Sequence, residues 1–172
     1  MNPRANNHIC IRRASAVNAE AFLELFEAVT SATDFLGFEP AERSTTVKAQ
    51  AEIFERQNVS KDIHLIMLAD GKSVGFVSIL RQIRRKSCHI GTLVIGIHPQ
   101  YQGARLGSQL CEAVINLARK EGLIKLELTV VIANASAVRL YLSKGFRVEG
   151  LRRASMNCGG RFLDEYHMGL LL

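Results

Sequence analysis

One segment, residues 98–107 (HPQYQGARLG), constrains the fold of this chain more than any other. It follows the apolar run LVIGI at 93–97, which predicts a buried strand. It leads into an apolar stripe at helical spacing, formed by Leu106, Leu110, Val114 and Leu117. Because the first N–H groups of a helix have no partner inside it, a strand, a glycine-bearing loop and a helix in this order form an anion site. The segment is not a P-loop, since no Gly-Lys-Ser/Thr follows, nor a dinucleotide fingerprint, since G-x-G-x-x-G is absent.

A second segment, residues 134–146 (NASAVRLYLSKGF), joins the first in a resemblance to the GNAT N-acetyltransferases. It matches the family pattern Asn-x-x-Ala-x-x-Leu-Tyr-x-x-x-Gly-Phe at every fixed position. The first segment resembles the family's acyl-CoA pyrophosphate loop, Gln/Arg-x-x-Gly-x-Gly/Ala, with Gln102 and Gly107 at the outer positions and Arg105 in place of the middle glycine. An ordinary strand-turn-helix junction also resembles this loop, so the second segment carries more of the argument. The later residues resemble members that acetylate amino acids, small amines or protein N-termini.

Length and composition predict one globular domain spanning residues 1–172. The chain has 172 residues, of which 48% are hydrophobic and 22% charged, and a domain of roughly 150 residues is usual. No apolar run approaches the roughly 20 residues that span a membrane. The first seven residues lack the apolar core of a signal peptide. We therefore expect a cytoplasmic protein that does not enter a membrane.

The cysteines and the charge balance argue against two other classes of protein. Cys10, Cys88, Cys111 and Cys158 are scattered without a C-x-x-C pair, a spacing that favours neither a metal cluster nor a disulfide framework. The net charge is +6 and aromatic residues make up only 6%, without the long basic tail of a nucleic-acid-binding protein. A moderately basic surface also suits an enzyme that binds the phosphates of coenzyme A.

Apolar periodicity and turn residues predict the order β-α-α-β-β-β-α-β-α-β-β. Strands are predicted at 8–12, 64–69, 73–80, 87–97, 124–132, 146–154 and 161–171, and helices at 15–29, 40–57, 105–121 and 135–144. Ser15 is the predicted N-cap of the first helix, Pro40 the first position of the second, and Asp70-Gly71 a hairpin turn. Periodicity alone gives an α/β or α+β sheet of about seven strands. The resemblance implies the GNAT fold, a mostly antiparallel seven-stranded sheet, splayed in a V that holds acyl-CoA, with about four helices.

The resemblance also implies which residues bind acetyl-CoA, the cosubstrate. Backbone N–H groups of the loop would hold the pyrophosphate, and the strand before it, at Ile95 and Ile97, would pair with the pantetheine amides and polarise the thioester carbonyl. Asn134, with Ser136 beside it, would cap its helix and contact CoA. Arg105 either adds a phosphate contact or points into water. The loop residues are Gln102, Gly103, Ala104, Arg105, Leu106, Gly107 and Ser108.

Tyr141 is the predicted proton donor to the leaving thiolate, because the family's tyrosine lies near the sulfur and a phenol is protonated at neutral pH.

The sequence offers several candidates for the proton acceptor, the group that removes a proton from the amine. Many relatives carry a carboxylate midway along the strand before the loop, where this chain has Thr92. His89 is the candidate proton acceptor. Three carboxylates elsewhere in the chain, Glu39, Asp34 and Asp164, are the alternatives. An amine with a pKa near 10 is only about one part in a thousand neutral at pH 7, so a weak base favours an α-amine as acceptor.

The acceptor is expected to bind between residues 31–38 and the final hairpin at 155–164, which flank the mouth of the V in relatives. Asp34 would hold an ammonium group and Phe35 and Phe38 would pack an apolar part, unless these are ordinary loop residues with aromatic side chains in the core. The predicted activity is N-acetyl transfer to a primary amine by direct attack, with no metal. A free amino acid is the first choice of acceptor, and a protein N-terminus or an antibiotic-like amine follows. The alternative is a non-catalytic acyl-CoA sensor, and a homodimer is expected because relatives often dimerise.

Overall fold

One seven-stranded sheet organises the computed structural model, which describes residues 8–38, 42 and 44–172. The strands are β1 (Ile9–Arg13), β2 (Ile63–Ala69), β3 (Lys72–Arg81), β4 (Ile90–Ile97), β5 (Lys125–Val131), β6 (Arg147–Cys158) and β7 (Arg161–Leu171). The helices of the described residues are α1 (Ala19–Thr30), α2 (Val47–Ser60), α3 (Leu106–Lys120) and α4 (Ala135–Ser143). The predicted GNAT-type architecture of a seven-stranded sheet and four helices is confirmed.

The strand order is β1-β2-β3-β4-β5-β7-β6. Every neighbouring pair is antiparallel except β4 and β5, which are parallel. Parallel neighbours need a crossover connection, and α3 supplies it. The antiparallel pattern of the sheet is therefore interrupted between β4 and β5. The glycine-bearing loop lies at the end of β4.

Each face of the sheet buries its own apolar core, because successive side chains of a strand point to opposite faces. On one face, α3 and α4 cover a cluster that includes Leu93, Leu110, Leu126 and Met168. On the other, α1 and α2 cover an aromatic cluster of Phe22, Phe26, Phe54 and Phe76. Full burial of one such side chain contributes about 1.5–3 kcal/mol, so these two cores hold the helices in place on the sheet.

The structure corrects three predicted boundaries. The second helix begins at Val47, where the Thr46 hydroxyl accepts a hydrogen bond from the N–H of Ala49 at 3.1 Å, and Pro40 and Glu39 lie outside the described residues. Ser15 precedes a 3₁₀ turn, Ala16–Asn18, before the first α-helix begins. The predicted strand from residue 87 begins at 90, because residues 84–90 close turns through their own backbone hydrogen bonds.

None of the helices in the described part of the chain combines the length and the apolar character required to cross a membrane.

Candidate active site

The sheet opens into a fork between β4 and β5. The two strands pair only over Ile90–Thr92 and Lys125–Glu127. Beyond those residues β4 stays paired with β3 as far as Ile97, and β5 stays paired with β7 as far as Val131. The strands therefore separate after Thr92 and Glu127, which form the apex of the fork.

Backbone groups of β4 face into this fork. The N–H of His98 donates to the carbonyl of Val74 at 2.9 Å, and the carbonyl of Ile90 accepts from Gln82 at 3.1 Å. Even-numbered residues of β4 thus direct their N–H and C=O groups toward β3, since both groups of one antiparallel residue point to the same side. The odd-numbered residues, among them Ile95 and Ile97, direct theirs into the fork, where an extended ligand could pair with them.

The loop after β4 ends in an exposed helix N-terminus. Gly103 has φ +79° and Arg105 has φ +59°, so the chain turns twice through the left-handed region before α3 begins. No side chain of the described residues caps α3, which leaves the N–H groups of Leu106, Gly107 and Ser108 directed at the solvent beyond the helix. The amide of Gln102 donates to the carbonyl of Ile97 at 3.1 Å and fixes the start of the loop on the strand.

The left-handed backbone of Arg105 explains why a glycine is usual at its position in the resembling family. Glycine adopts positive φ without steric cost, whereas other residues do so at a cost of roughly 1–2 kcal/mol. The Arg105 residue is exposed, next to the free N–H groups. Its location agrees with both sequence hypotheses, a phosphate contact or a side chain in water.

The helix that carries the second motif meets this loop. A methyl group added at Gly107 would lie 3.8 Å from Ile97 and 3.5 Å from Leu140, so the ends of β4, α3 and α4 converge at one point. The Asn134 side-chain oxygen accepts hydrogen bonds from the N–H of Ala137 at 3.1 Å and from the Ser136 hydroxyl at 2.9 Å. These bonds form the predicted N-cap of α4. They do not involve the side-chain nitrogen, Nδ2, of Asn134.

Tyr141 lies in the core between α4 and α3, with 7% of its surface exposed. Its ring meets that of Phe146 edge-on at 5.7 Å between centroids. Burial, and then the neighbouring thiol of Cys111, raise the pKa of Tyr141 above its usual value. The phenol therefore keeps its proton throughout the neutral and mildly alkaline range, as a proton donor must.

The structure places His89 away from these groups. It is exposed in the turn before β4, and its carbonyl accepts hydrogen bonds from the N–H groups of Ile124 and Lys125 at the closed end of the fork. The eight residues of β4 separate it from the loop, a length of about 26 Å at the usual rise per residue. This position argues against His89 as the proton acceptor.

The two segments predicted to select the acceptor do meet. Residues 30–38 and 42 line one side of a cavity of about 380 Å³, and residues 155–158 of β6 line the other. The carboxylate of Asp34, a lining residue, pairs with the guanidinium of Arg161 at 3.3 Å. The apolar lining comes from Leu36, the predicted Phe38 and Met156, whereas the predicted Phe35 is not among the lining residues.

The remaining predicted carboxylate, Asp164, has a structural role. Its side chain accepts a hydrogen bond from the N–H of Ala154 at 2.8 Å. Ala154 has φ +48° and lies where the register of β6 and β7 shifts. The carboxylate therefore stabilises an irregularity of the hairpin.

A polar cluster at the apex of the fork was missed by sequence reasoning. The Thr92 hydroxyl donates to Oε1 of Glu127 at 3.4 Å, so the neighbouring strand supplies a carboxylate beside the threonine. Nε2 of His167 lies 3.8 Å from Oε2 of Glu127 and 3.7 Å from Oε2 of Glu149. In the sequence these residues only alternate with apolar neighbours, a pattern typical of any half-buried strand.

Two acetyltransferases are similar to this chain in sequence. The chain is 28% identical over 105 residues to the L-amino acid N-acetyltransferase AaaT of Escherichia coli (strain K12), a match that covers 60% of this chain and 65% of that protein. It is 34% identical over 116 residues to the N-alpha-acetyltransferase RimI of Mycobacterium tuberculosis (strain ATCC 25618 / H37Rv), covering 67% of this chain and 70% of that protein.

Solved structures cover nearly the whole chain. An acetyltransferase of the GNAT family from Streptococcus pneumoniae superposes with a TM-score of 0.93 at 32% identity, over 96% of this chain and 100% of that one. The fold is shared with yncA from Salmonella typhimurium, solved with its cofactor acetyl-CoA, at a TM-score of 0.87 and 23% identity over 96% and 94% of the two chains. The model of the acetyltransferase (GNAT) family matches residues 22–146. This chain belongs to the GNAT acetyltransferases, the family that transfers the acetyl group of acetyl-CoA.

Proposed function

We propose that this protein acetylates the α-amine of a small molecule, with a free amino acid as the leading acceptor. The cavity between residues 30–38 and 155–158 carries the proposal. Its volume of about 380 Å³ suits a small acceptor. Asp34 lines the cavity and its carboxylate is paired with Arg161, so one negative and one positive group lie close together as partners for the two charges of an amino acid. The similarity to an L-amino acid N-acetyltransferase supports the same choice.

Acetyl-CoA would lie in the fork, with its pyrophosphate on the loop and its pantetheine arm along β4. The free N–H groups of Leu106, Gly107 and Ser108 are the proposed pyrophosphate donors. Gln102, Gly103, Ala104 and Arg105 would complete the pyrophosphate loop, although the N–H of Gln102 itself donates to the carbonyl of Pro99 at 3.3 Å. Backbone groups of Ile95 and Ile97 would pair with the pantetheine, and a fixed N–H there would stabilise the charge that grows on the thioester oxygen. Asn134 and Ser136 would contact CoA from the start of α4.

Tyr141 would protonate the departing thiolate. The match of residues 134–146 to the family motif supports this role. Burial raises the pKa of the phenol, so the proton is present at every pH at which the amine reacts. Burial also raises the pKa of the Cys111 thiol to about 11. Since only a thiolate is a good nucleophile, Cys111 is not suited to form an acyl-enzyme, and this favours direct attack by the amine.

Thiol release from acetyl-CoA across a panel of acceptors tests the proposal. The panel contains free amino acids, polyamines, aminoglycosides and short peptides with varied N-termini. We expect release above the amine-free background with free amino acids. Preference for peptides would favour the second candidate, N-terminal acetylation, which the similarity to an N-alpha-acetyltransferase supports.

A Tyr141→Phe variant separates a catalyst from an acyl-CoA sensor. We expect turnover to fall about 100-fold, the usual contribution of a proton donor, while acetyl-CoA binding is kept. Tyr166→Phe is the matched control, because Tyr166 packs against the same core but lies on β7. A wild-type protein that binds acetyl-CoA and releases no thiol with any acceptor would favour the sensor.

A further inference from the structure

A histidine lies between two carboxylates beside the fork. Nε2 of His167, on β7, is 3.8 Å from Oε2 of Glu127 on β5 and 3.7 Å from Oε2 of Glu149 on β6. About a third of its side chain is exposed, so water or a small molecule can reach the ring. Neither the family motifs nor the sequence hypotheses assigned a role to any of these three residues.

The position of His167 along the sheet puts it just beyond the apex of the fork. It pairs with Thr129, two residues beyond Glu127, where β5 has already separated from β4. Its neighbour Met168 is fully buried in the core beneath α3, so the ring of His167 projects from the opposite face. That face carries the acceptor cavity. Met156, which lines the cavity, pairs with Leu163, four residues from His167, so the cavity begins about 13 Å nearer the hairpin tip.

Other groups hold both carboxylates in place. Oε1 of Glu127 accepts hydrogen bonds from Thr92 and from Gln82, both at 3.4 Å, and this leaves Oε2 toward the histidine. Oε2 of Glu149 pairs with Nζ of Lys125 at 2.6 Å. The next charged pair on this face is Arg152–Glu165, at 3.1 Å. Both carboxylates lie toward the same ring nitrogen, Nε2, so a protonated imidazole would face two negative charges there.

We propose that His167 is the group that takes the proton from the acceptor's ammonium, directly or through one water, and that Glu127 and Glu149 position it. The inference rests on the proposed N-acetyl transfer. Histidine is the side chain that most often accepts a proton at neutral pH. In this proposed role, His167 stands in for the carboxylate that many relatives carry at the position of Thr92. It also takes the role first suggested for His89, which lies far from the loop.

The proton balance closes with one proton released for each acetyl group transferred. The ammonium gives one proton to His167, which passes it to solvent. The neutral amine attacks the thioester carbon, so that a C–N bond forms and the C–S bond breaks. The nitrogen loses its second proton as the amide forms, while the thiolate gains one from Tyr141, and a water-mediated transfer from nitrogen restores the phenol.

A His167→Gln variant, assayed with two acceptors of different basicity, tests the proposal. At pH 7 we expect kcat/KM to fall about 100-fold for an amine with a pKa near 10, and no more than about 10-fold for an α-amine with a pKa near 8. The deficit should shrink as the pH approaches the pKa of the amine, because a neutral amine needs no proton acceptor. An equal loss for both amines at every pH, or no loss, would overturn the proposal.

The two carboxylates give a second test that does not depend on replacing the histidine. In Glu149→Gln and Glu127→Gln we expect kcat/KM to fall more for the amine with a pKa near 10 than for the α-amine, as in His167→Gln, because an imidazole that has lost a neighbouring carboxylate is no longer held toward the ammonium. Glu112→Gln, which breaks an ion pair with Lys144 on the other side of the sheet, is the control and should leave the ratio of the two kcat/KM values unchanged. An unchanged ratio in both carboxylate variants would contradict the positioning role.

Failure of the proposed acetyl transfer and failure of the proposed role of His167 give different results. Absence of thiol release by the wild-type protein with every amine would overturn both the proposed function and this inference. Normal release by the wild type, together with an unchanged pH profile in His167→Gln, would leave the acetyl transfer established and remove His167 from it.

Discussion

At the scale of single residues, Arg105 combines a strained backbone with a charge at an anion site. Its φ of +59° is the conformation that glycine adopts without cost. We expect Arg105→Gly to raise the free energy of unfolding by about 1 kcal/mol relative to Arg105→Ala, because alanine keeps the strain and glycine removes it. Urea unfolding of the two variants measures the difference, and equal stabilities would show that the backbone is not strained.

The charge of Arg105 makes a separate prediction. If the guanidinium contacts the pyrophosphate, both variants raise KM for acetyl-CoA, by about 3- to 10-fold for the loss of one charged hydrogen bond. Steady-state kinetics at saturating acceptor measure this effect. An unchanged KM in Arg105→Ala would mean that the side chain points into water.

The buried thiol of Cys111 predicts a loss of stability at alkaline pH. Burial raises its pKa in the folded protein from 9.0 to about 11, so the folded state holds this proton more tightly than the unfolded state. The resulting stabilisation is complete below pH 9 and disappears as the pH rises toward 11, with a size of about 2–3 kcal/mol. Cys111→Ala should be less stable at pH 7 and should lose less stability between pH 9 and 11, which chemical unfolding at several pH values measures.

At the scale of elements, the loop after α1 and the hairpin of β6 and β7 are connected by the ion pair Asp34–Arg161. Both side chains are about two-thirds exposed, so the pair contributes less than about 1 kcal/mol to stability. We expect Asp34→Asn and Arg161→Gln to leave the unfolding midpoint nearly unchanged and to raise KM for the acceptor several-fold. Glu112→Gln, whose side chain is also about two-thirds exposed, removes the ion pair with Lys144 and should alter neither quantity.

Most elements followed from local sequence, and the exceptions have physical causes. The turn at Asp70–Gly71 and the Asn134 cap depend on neighbouring residues only, so they could be predicted. The start of α2 could not, because Pro40 and Thr46 are both good signals for a helix start and nothing local chooses between them. The structure chooses Thr46.

At the scale of the whole molecule, the sheet must lie close to helices on both faces. A methyl group at Gly96 would stand 2.5 Å from the Phe76 ring and 3.2 Å from Val29 of α1. We expect Gly96→Ala to destabilise the protein by about 1–3 kcal/mol, because the packed aromatic cluster has no room for it. Gly150→Ala is the control, since a methyl group there meets no atom within 4 Å. Thermal unfolding compares the two.

The sequence by itself predicted the order of the elements, the strand-loop-helix junction at residues 93–107 and the cap of α4, and its resemblance to the family motif implied Tyr141 as the proton donor. These features depend on residues close together in the chain, where periodicity and turn chemistry act. Only the tertiary structure decided which groups share the fork. His167 meets Glu127 from a strand 40 positions away in the numbering, and Asp34 meets Arg161 across 127 positions. Such pairs form through strand register and loop packing, and one-dimensional patterns contain neither, so the sequence could not indicate the contacts of His167.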